Sequence, residues 1–106
     1  MVQQKALDEI VNRIVTGYDP LAVILFGSQA TGRANEDSDI DIMVLKDDPQ
    51  RPVDRNRYVR RLLFGIEYPI DVFVKTPEEF AKYRDVAGSL NYAVSREGRV
   101  LYERGK

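Results

Sequence analysis

"FGSQATGRANEDSDIDIMV", Phe26 to Val44, runs a burst of carboxylates straight into the start of an apolar strand. Asp37, Asp39 and Asp41 alternate with Ser38, Ile40 and Ile42, shortly after the pair Gly27-Ser28. Alternate residues of a strand face opposite sides, so Asp39 and Asp41 are expected to project one way while Ile40, Ile42 and Val44 enter a core. Two carboxylates so placed repel. In a partly buried site one of them takes up a proton unless a cation compensates. The plain alternative is a strand end facing water.

Working outward, "LAVILF" (Leu21–Phe26) reads as a strand covered on both faces, and Gly27 ends it. Ser28 to Asp37 reads as a polar turn with room for one helical turn, and Asp39 to Leu45 as the second strand. Upstream, residues 3 to 16 carry apolar residues at helical spacing, with Gly17 as the expected stop and Asp19-Pro20 as a turn. Downstream, "KDDPQRP" is a loop, Val53–Ile66 a second helix and "PIDVFV" (Pro69–Val74) a third strand. Thr76-Pro77-Glu78-Glu79 carries an N-cap, a proline at the first helical position and a capping-box glutamate. A last helix is expected over Val86–Glu97, followed by "RVLY" as a terminal strand. The order describes one α/β (α+β) domain over residues 1–106, with a mixed β-sheet flanked by helices. The short link between the first two strands favours antiparallel or mixed pairing over a fully parallel sheet.

With 106 residues, the chain can bury a core without staples. It has neither cysteine nor histidine. Disulfides, thiolate sites, imidazole acid–base work and ordinary zinc sites are thereby excluded. Any chemistry must run on carboxylates, hydroxyls, backbone amides, lysine and arginine. The formal net charge of −1 gives no reason to expect general nucleic-acid binding. No apolar run is long enough for a bilayer and "MVQQKALDEI" lacks a signal pattern, so a cytoplasmic location is the expectation.

A third acid, Asp71, interrupts the otherwise apolar "PIDVFV", where a lone carboxylate costs stability unless it is paired or coordinating. If the third strand neighbours the second, Asp71 could face the same cleft as Asp39 and Asp41. Three carboxylates on adjacent strands can hold one or two Mg²⁺ ions, hard cations that prefer such oxygens and keep positions open for phosphates. The alternative for Asp71 is a polar strand start beside Pro69. Gly27 would let backbone approach a phosphate closely, and Ser28 offers a hydroxyl and an amide.

Gly27-Ser28, ten intervening residues and then Asp39-Ile40-Asp41 resembles the G-S-x10-D-x-D signature of the nucleotidyltransferase superfamily that includes DNA polymerase beta. Asp71 matches that family's third carboxylate, and the chain has the size of its minimal, MNT-domain members. The resemblance implies transfer of a nucleoside monophosphate from an NTP, ATP by expectation, to a hydroxyl, with release of pyrophosphate. It implies that Asp39, Asp41 and Asp71 bind Mg²⁺, that Asp71 helps activate the acceptor, and that Gly27 and Ser28 hold the triphosphate. It also implies a HEPN-domain toxin as partner, with adenylylation of a tyrosine and a role as antitoxin. Two alternatives stay open: transfer to a small aminoglycoside-like acceptor in a pocket completed by a dimer or a helical subunit, and neutralisation of the partner by occlusion alone.

Other readings of the same residues fail on particulars. Asp37-x-Asp39-x-Asp41 is not a calcium loop, because Ile42 stands where that loop needs glycine, and Asp37 is expected to be a turn residue. "GSQATGRA" is not a P-loop, because Arg33-Ala34 replaces the lysine and hydroxyl. Arg51, Arg55, Arg57, Arg60 and Arg61 are expected to form a solvated helix face, and Tyr58, Tyr92 and Tyr102 to be core or rim aromatics.

Overall fold

The computed structural model describes residues 4–33 and 39–105. In chain order its elements are helix α1 (Gln4–Tyr18), strand β1 (Ala22–Phe26), the short helix α2 (Ser28–Thr31), β2 (Ile40–Leu45), α3 (Pro52–Leu62), β3 (Ile70–Lys75), α4 (Pro77–Tyr83), α5 (Leu90–Glu97) and β4 (Arg99–Glu103). The strands form one sheet in the order β3-β2-β1-β4. β1 is antiparallel to β2 and β4, and β2 is parallel to β3, so the sheet is mixed. The parallel step is possible because α3 carries the chain back between β2 and β3.

Alternation sorts the sheet into two cores. Val23 and Leu25, Ile40, Ile42 and Val44, and Val72 and Val74 share the face covered by α1 and α3 through Leu7, Ile10, Ile14, Val59 and Leu63. The opposite face carries Ile24, Phe26 and Met43 against Phe80 of α4 and Val94 of α5. Ile40, Ile42 and Val44 are completely buried, as the alternation predicts. β1 is buried at every position because helices cover both of its faces. None of the described helices is long and apolar enough to cross a membrane.

Several boundaries differ from the sequence reading for local reasons. α1 does not stop at Gly17 but runs through it to Tyr18. Gly17 is there for approach: a Cβ would come within 2.6 Å of Leu62 Cδ2, so glycine lets α1 close on α3. The actual stop is Asp19, which has a φ of 52 degrees and precedes Pro20. α3 begins at Pro52, a good first helical residue, and ends at Leu62 rather than Ile66. β2 begins at Ile40, one residue past Asp39, and β3 runs from Ile70 to Lys75. The last helix starts only at Leu90, because Ser89 caps it by accepting the Tyr92 amide, after a turn in which Gly88 takes a positive φ. The capping box of α4 forms as read, with Thr76 Oγ1 accepting the Glu79 amide and Glu79 accepting the Thr76 amide.

The arginine cluster divides. Arg57, Arg60 and Arg61 are exposed, but Arg55 is only 2% exposed and makes a two-bond pair with Glu79, at 2.9 and 3.0 Å. Arg55 shares the buried stripe of α3 with Val59, which turns it inward. Tyr58 is half-exposed and lies against Tyr18, with ring centroids 5.4 Å apart.

Candidate active site

Asp41 lies near one end of the inner strand β2. In the antiparallel register it faces Phe26, the last residue of β1, and in the parallel register it faces Asp71 of β3. Residues directly opposite share a face, so the Asp41 and Asp71 side chains leave the sheet on the same side. A backbone bond from Ile40 N–H to Pro69 C=O, at 2.9 Å, fixes the two strands where this pairing begins. Asp39 lies just ahead of β2 and is exposed, as is Asp71, while Asp41 is half-buried. Asp37 falls outside the described residues.

β1 delivers Gly27 to this point. Gly27 has a φ of 74 and a ψ of −158 degrees, a conformation that glycine alone adopts without strain, and it caps α2 at its N-terminus. A Cβ here would run into the Asp41 carboxylate. The close approach of Gly27 to Asp41 is therefore built into the turn. Ser28 opens α2, whose Ala30 and Thr31 amides return to the Gly27 carbonyl at 3.1 and 3.2 Å, and Gly32 closes the helix in the left-handed conformation. From its far end Arg33 reaches Thr31 Oγ1 and Glu97 of α5.

Burial is the largest influence on Asp41 and raises its pKa; Asp71 and then Asp39 raise it further. Phe26 and Phe73 share the carboxylates' face of the sheet. The two rings meet at a tilt, with centroids 5.8 Å apart and planes at 55 degrees. The sequence reading did not single out these rings, although each is a strand residue two places from, or opposite, an aspartate. Among the described residues no three carboxylates form a ready-made metal cluster. The donor set nevertheless suits a hard divalent cation: Asp41 and its register partner Asp71 offer carboxylate oxygens, and their mutual repulsion is what such a cation relieves.

The structure thus brings Asp41, Asp71 and Gly27 together, sets Asp39 alongside at the entrance to β2, and places Ser28 at the first turn of α2. Residues 8–106 match the family model described as polymerase beta, nucleotidyltransferase. A Methanocaldococcus jannaschii protein described as a candidate protein adenylyltransferase is 36% identical, over 96% of this chain and 100% of its own length. A second such protein of that organism is 38% identical over 58% of this chain and 44% of its own length. Among solved structures, a candidate nucleotidyltransferase of Sulfolobus solfataricus has a TM-score of 0.69 at 25% identity, covering 96% of this chain and 81% of the other. A toxin–antitoxin complex with AMP-PNP (TM-score 0.67, 22% identity, 92% and 73% covered) shares the fold, as does the toxin–antitoxin MntA-HepT (TM-score 0.62, 24% identity, 95% and 73% covered). The G-S turn, the aspartates it abuts and the match across nearly the whole length agree: the chain belongs to the polymerase beta nucleotidyltransferase family, as one of its minimal, MNT-type members.

Proposed function

We propose that the protein is a Mg²⁺-dependent adenylyltransferase that moves AMP from ATP to a hydroxyl of a partner protein, a tyrosine of a HEPN-type toxin, and thereby acts as the antitoxin. The observation that carries this reading is the pairing of Asp41 with Asp71 beside a glycine that has no room for a side chain. Gly27 and Ser28 would hold the triphosphate, and Asp39, Asp41 and Asp71 would hold one or two metal ions. The bound metal supplies positive charge against the phosphate oxygens as the reaction proceeds. Asp71, on the exposed side of the pair, accepts the proton of the acceptor hydroxyl. That oxygen then bonds to the α-phosphorus as the bond to the β-phosphate bridge breaks, and pyrophosphate leaves. The half-buried Asp41 stays a fixed ligand on the face it shares with the Phe26 and Phe73 rings.

Asp39 and Asp71 are both exposed, so the acceptor is brought from outside, which favours a hydroxyl on another protein over a small molecule enclosed by this chain. The adenylyltransferase description of the relatives and the toxin–antitoxin setting of the structural neighbours support the same choice. The decisive experiment mixes the chain with ATP, Mg²⁺ and the HEPN-type protein and weighs both polypeptides by intact mass spectrometry. A gain of one AMP unit on the partner, lost when its acceptor tyrosine becomes phenylalanine, is expected. Neutralisation of the partner with no mass gain would replace transfer by occlusion.

A further inference from the structure

One side of α3 packs on the sheet, and its outward side carries a stripe that the catalytic reading leaves unused. Val53, Arg57, Arg60, Arg61 and, just past the helix end, Phe64 recur at helical spacing. Together they line one shallow cavity. Phe64 is 86% exposed and Val53 49%, so an apolar residue stands at each end with three guanidinium groups between them. Asp54 takes Arg51 and Arg57 as partners. Among the described residues, the side chains of Arg60 and Arg61 make no hydrogen bond or ion pair.

Aromatic rings and arginines are the residues that concentrate binding energy at protein interfaces. Here they are arranged over roughly 16 Å, about three turns of helix. Carboxylates complement Arg60 and Arg61, and apolar side chains one to two turns away on either side complement Phe64 and Val53. We propose that this face docks an acidic amphipathic helix of a partner protein. Nucleic acid fits less well, because the chain is acidic overall, at formal net charge −1, and the stripe ends in apolar groups at both sides. Phe64 also lies in the connection that leads into β3, so a helix docked along α3 ends beside the strand that carries Asp71. The proposal stands independently of nucleotidyl transfer.

Fluorescence anisotropy with the full chain tests it, using a labelled helical peptide of about 16 residues, with glutamates on one face between a leucine and a tryptophan, and a single-stranded RNA of about equal length. The expected result is saturable peptide binding that weakens about tenfold with Arg60→Glu/Arg61→Glu, and separately with Phe64→Ser, but is unchanged by Arg96→Glu on α5. Because Phe64 and the two arginines are exposed, the variants should melt with the parent in circular dichroism; a misfolded charge-reversal variant leaves Phe64→Ser to decide. The proposal is overturned by no saturable peptide binding, binding that Phe64→Ser leaves intact, equal loss with Arg96→Glu, or tighter binding of the RNA. Self-association of the free chain that Phe64→Ser abolishes would likewise overturn it, in favour of a second copy as occupant.

Discussion

Asp41 stands near the start of β2 and Asp48 just past its end, and burial acts on both, with opposite net results. Burial raises Asp41, and Asp71 and Asp39 raise it further, while no donor among the described residues hydrogen-bonds its carboxylate. Burial would raise Asp48 too, but the Tyr18 hydroxyl, the Gln50 amide and the charges of Arg55 and Lys46 together hold it below the usual carboxylate range. The Tyr18 hydroxyl is correspondingly pushed up, chiefly by burial and then by its bond to Asp48. Asp48 is satisfied by the fold; Asp41, on the proposed function, is left for a bound cation to satisfy. On the same reading, the difference separates an acid that stabilises the fold from one that binds a metal.

The largest test of that contrast removes each acid in turn. Asp39→Asn/Asp41→Asn should lower AMP transfer by at least about 10³-fold, measured as labelled AMP incorporated into the partner. Its melting temperature should be equal to or above the parent's, since repulsion is relieved, and added Mg²⁺ should raise the melting point of the parent only. Asp48→Ala should do the reverse: transfer retained, stability lower by about 1–2 kcal/mol in urea unfolding as the buried hydroxyl of Tyr18 loses its acceptor. Equal behaviour of the two variants would erase the distinction.

Arg55→Ala comes next. It takes a buried guanidinium from a half-exposed glutamate, and a loss of about 2–3 kcal/mol is expected, below the range for pairs buried on both sides. Gly27→Ala should separate site from scaffold, because its Cβ meets the Asp41 carboxylate and the positive φ at this position strains any side chain. Roughly tenfold weaker ATP binding by calorimetry, with about 1–2 kcal/mol of lost stability, is the expected pair of readings.

The smallest effect is in pH. Glu79 is held down to about 2, from 4.5, first by the hydrogen bonds from Arg55 and then by the Thr76 amide. Its contribution to stability is therefore complete above the unfolded value of 4.5 and disappears as pH falls towards about 2. Asp41, raised rather than lowered, acts with the opposite sign: protonation as pH falls relieves a penalty. Thermal melts of Glu79→Gln should lose the first dependence and keep the second.

Much of this was readable from neighbours in sequence. The capping box at Thr76–Glu79, the alternation of Asp39 to Val44 and the spacing from Gly27-Ser28 are local patterns, and local physics produces them. Asp71 was readable because a charge in an apolar strand demands a reason. What the chain concealed depends on distant partners. Gly17 looks like a helix stop until Leu62 is seen against it, and Arg55 looks like its exposed neighbours until Glu79 is found 24 residues on. The Tyr18–Asp48 bond spans 30 residues, and no periodicity announces it. Ser89 was a local signal overlooked, since a serine after Gly88 marks a helix start as well as a turn.

Glu79 serves two elements with one side chain. Its Oε1 accepts from the Thr76 amide and from Arg55 at 2.9 Å each, and its Oε2 accepts the second Arg55 bond at 3.0 Å. The start of α4, the end of β3 and the first turn of α3 consequently meet at a single carboxylate. Aspartate, one methylene shorter, reaches the amide or the guanidinium but not both, and glutamine turns an N–H₂ towards one of two donors. Glutamate therefore suits position 79 better than either, and a substitution there should loosen three elements at once.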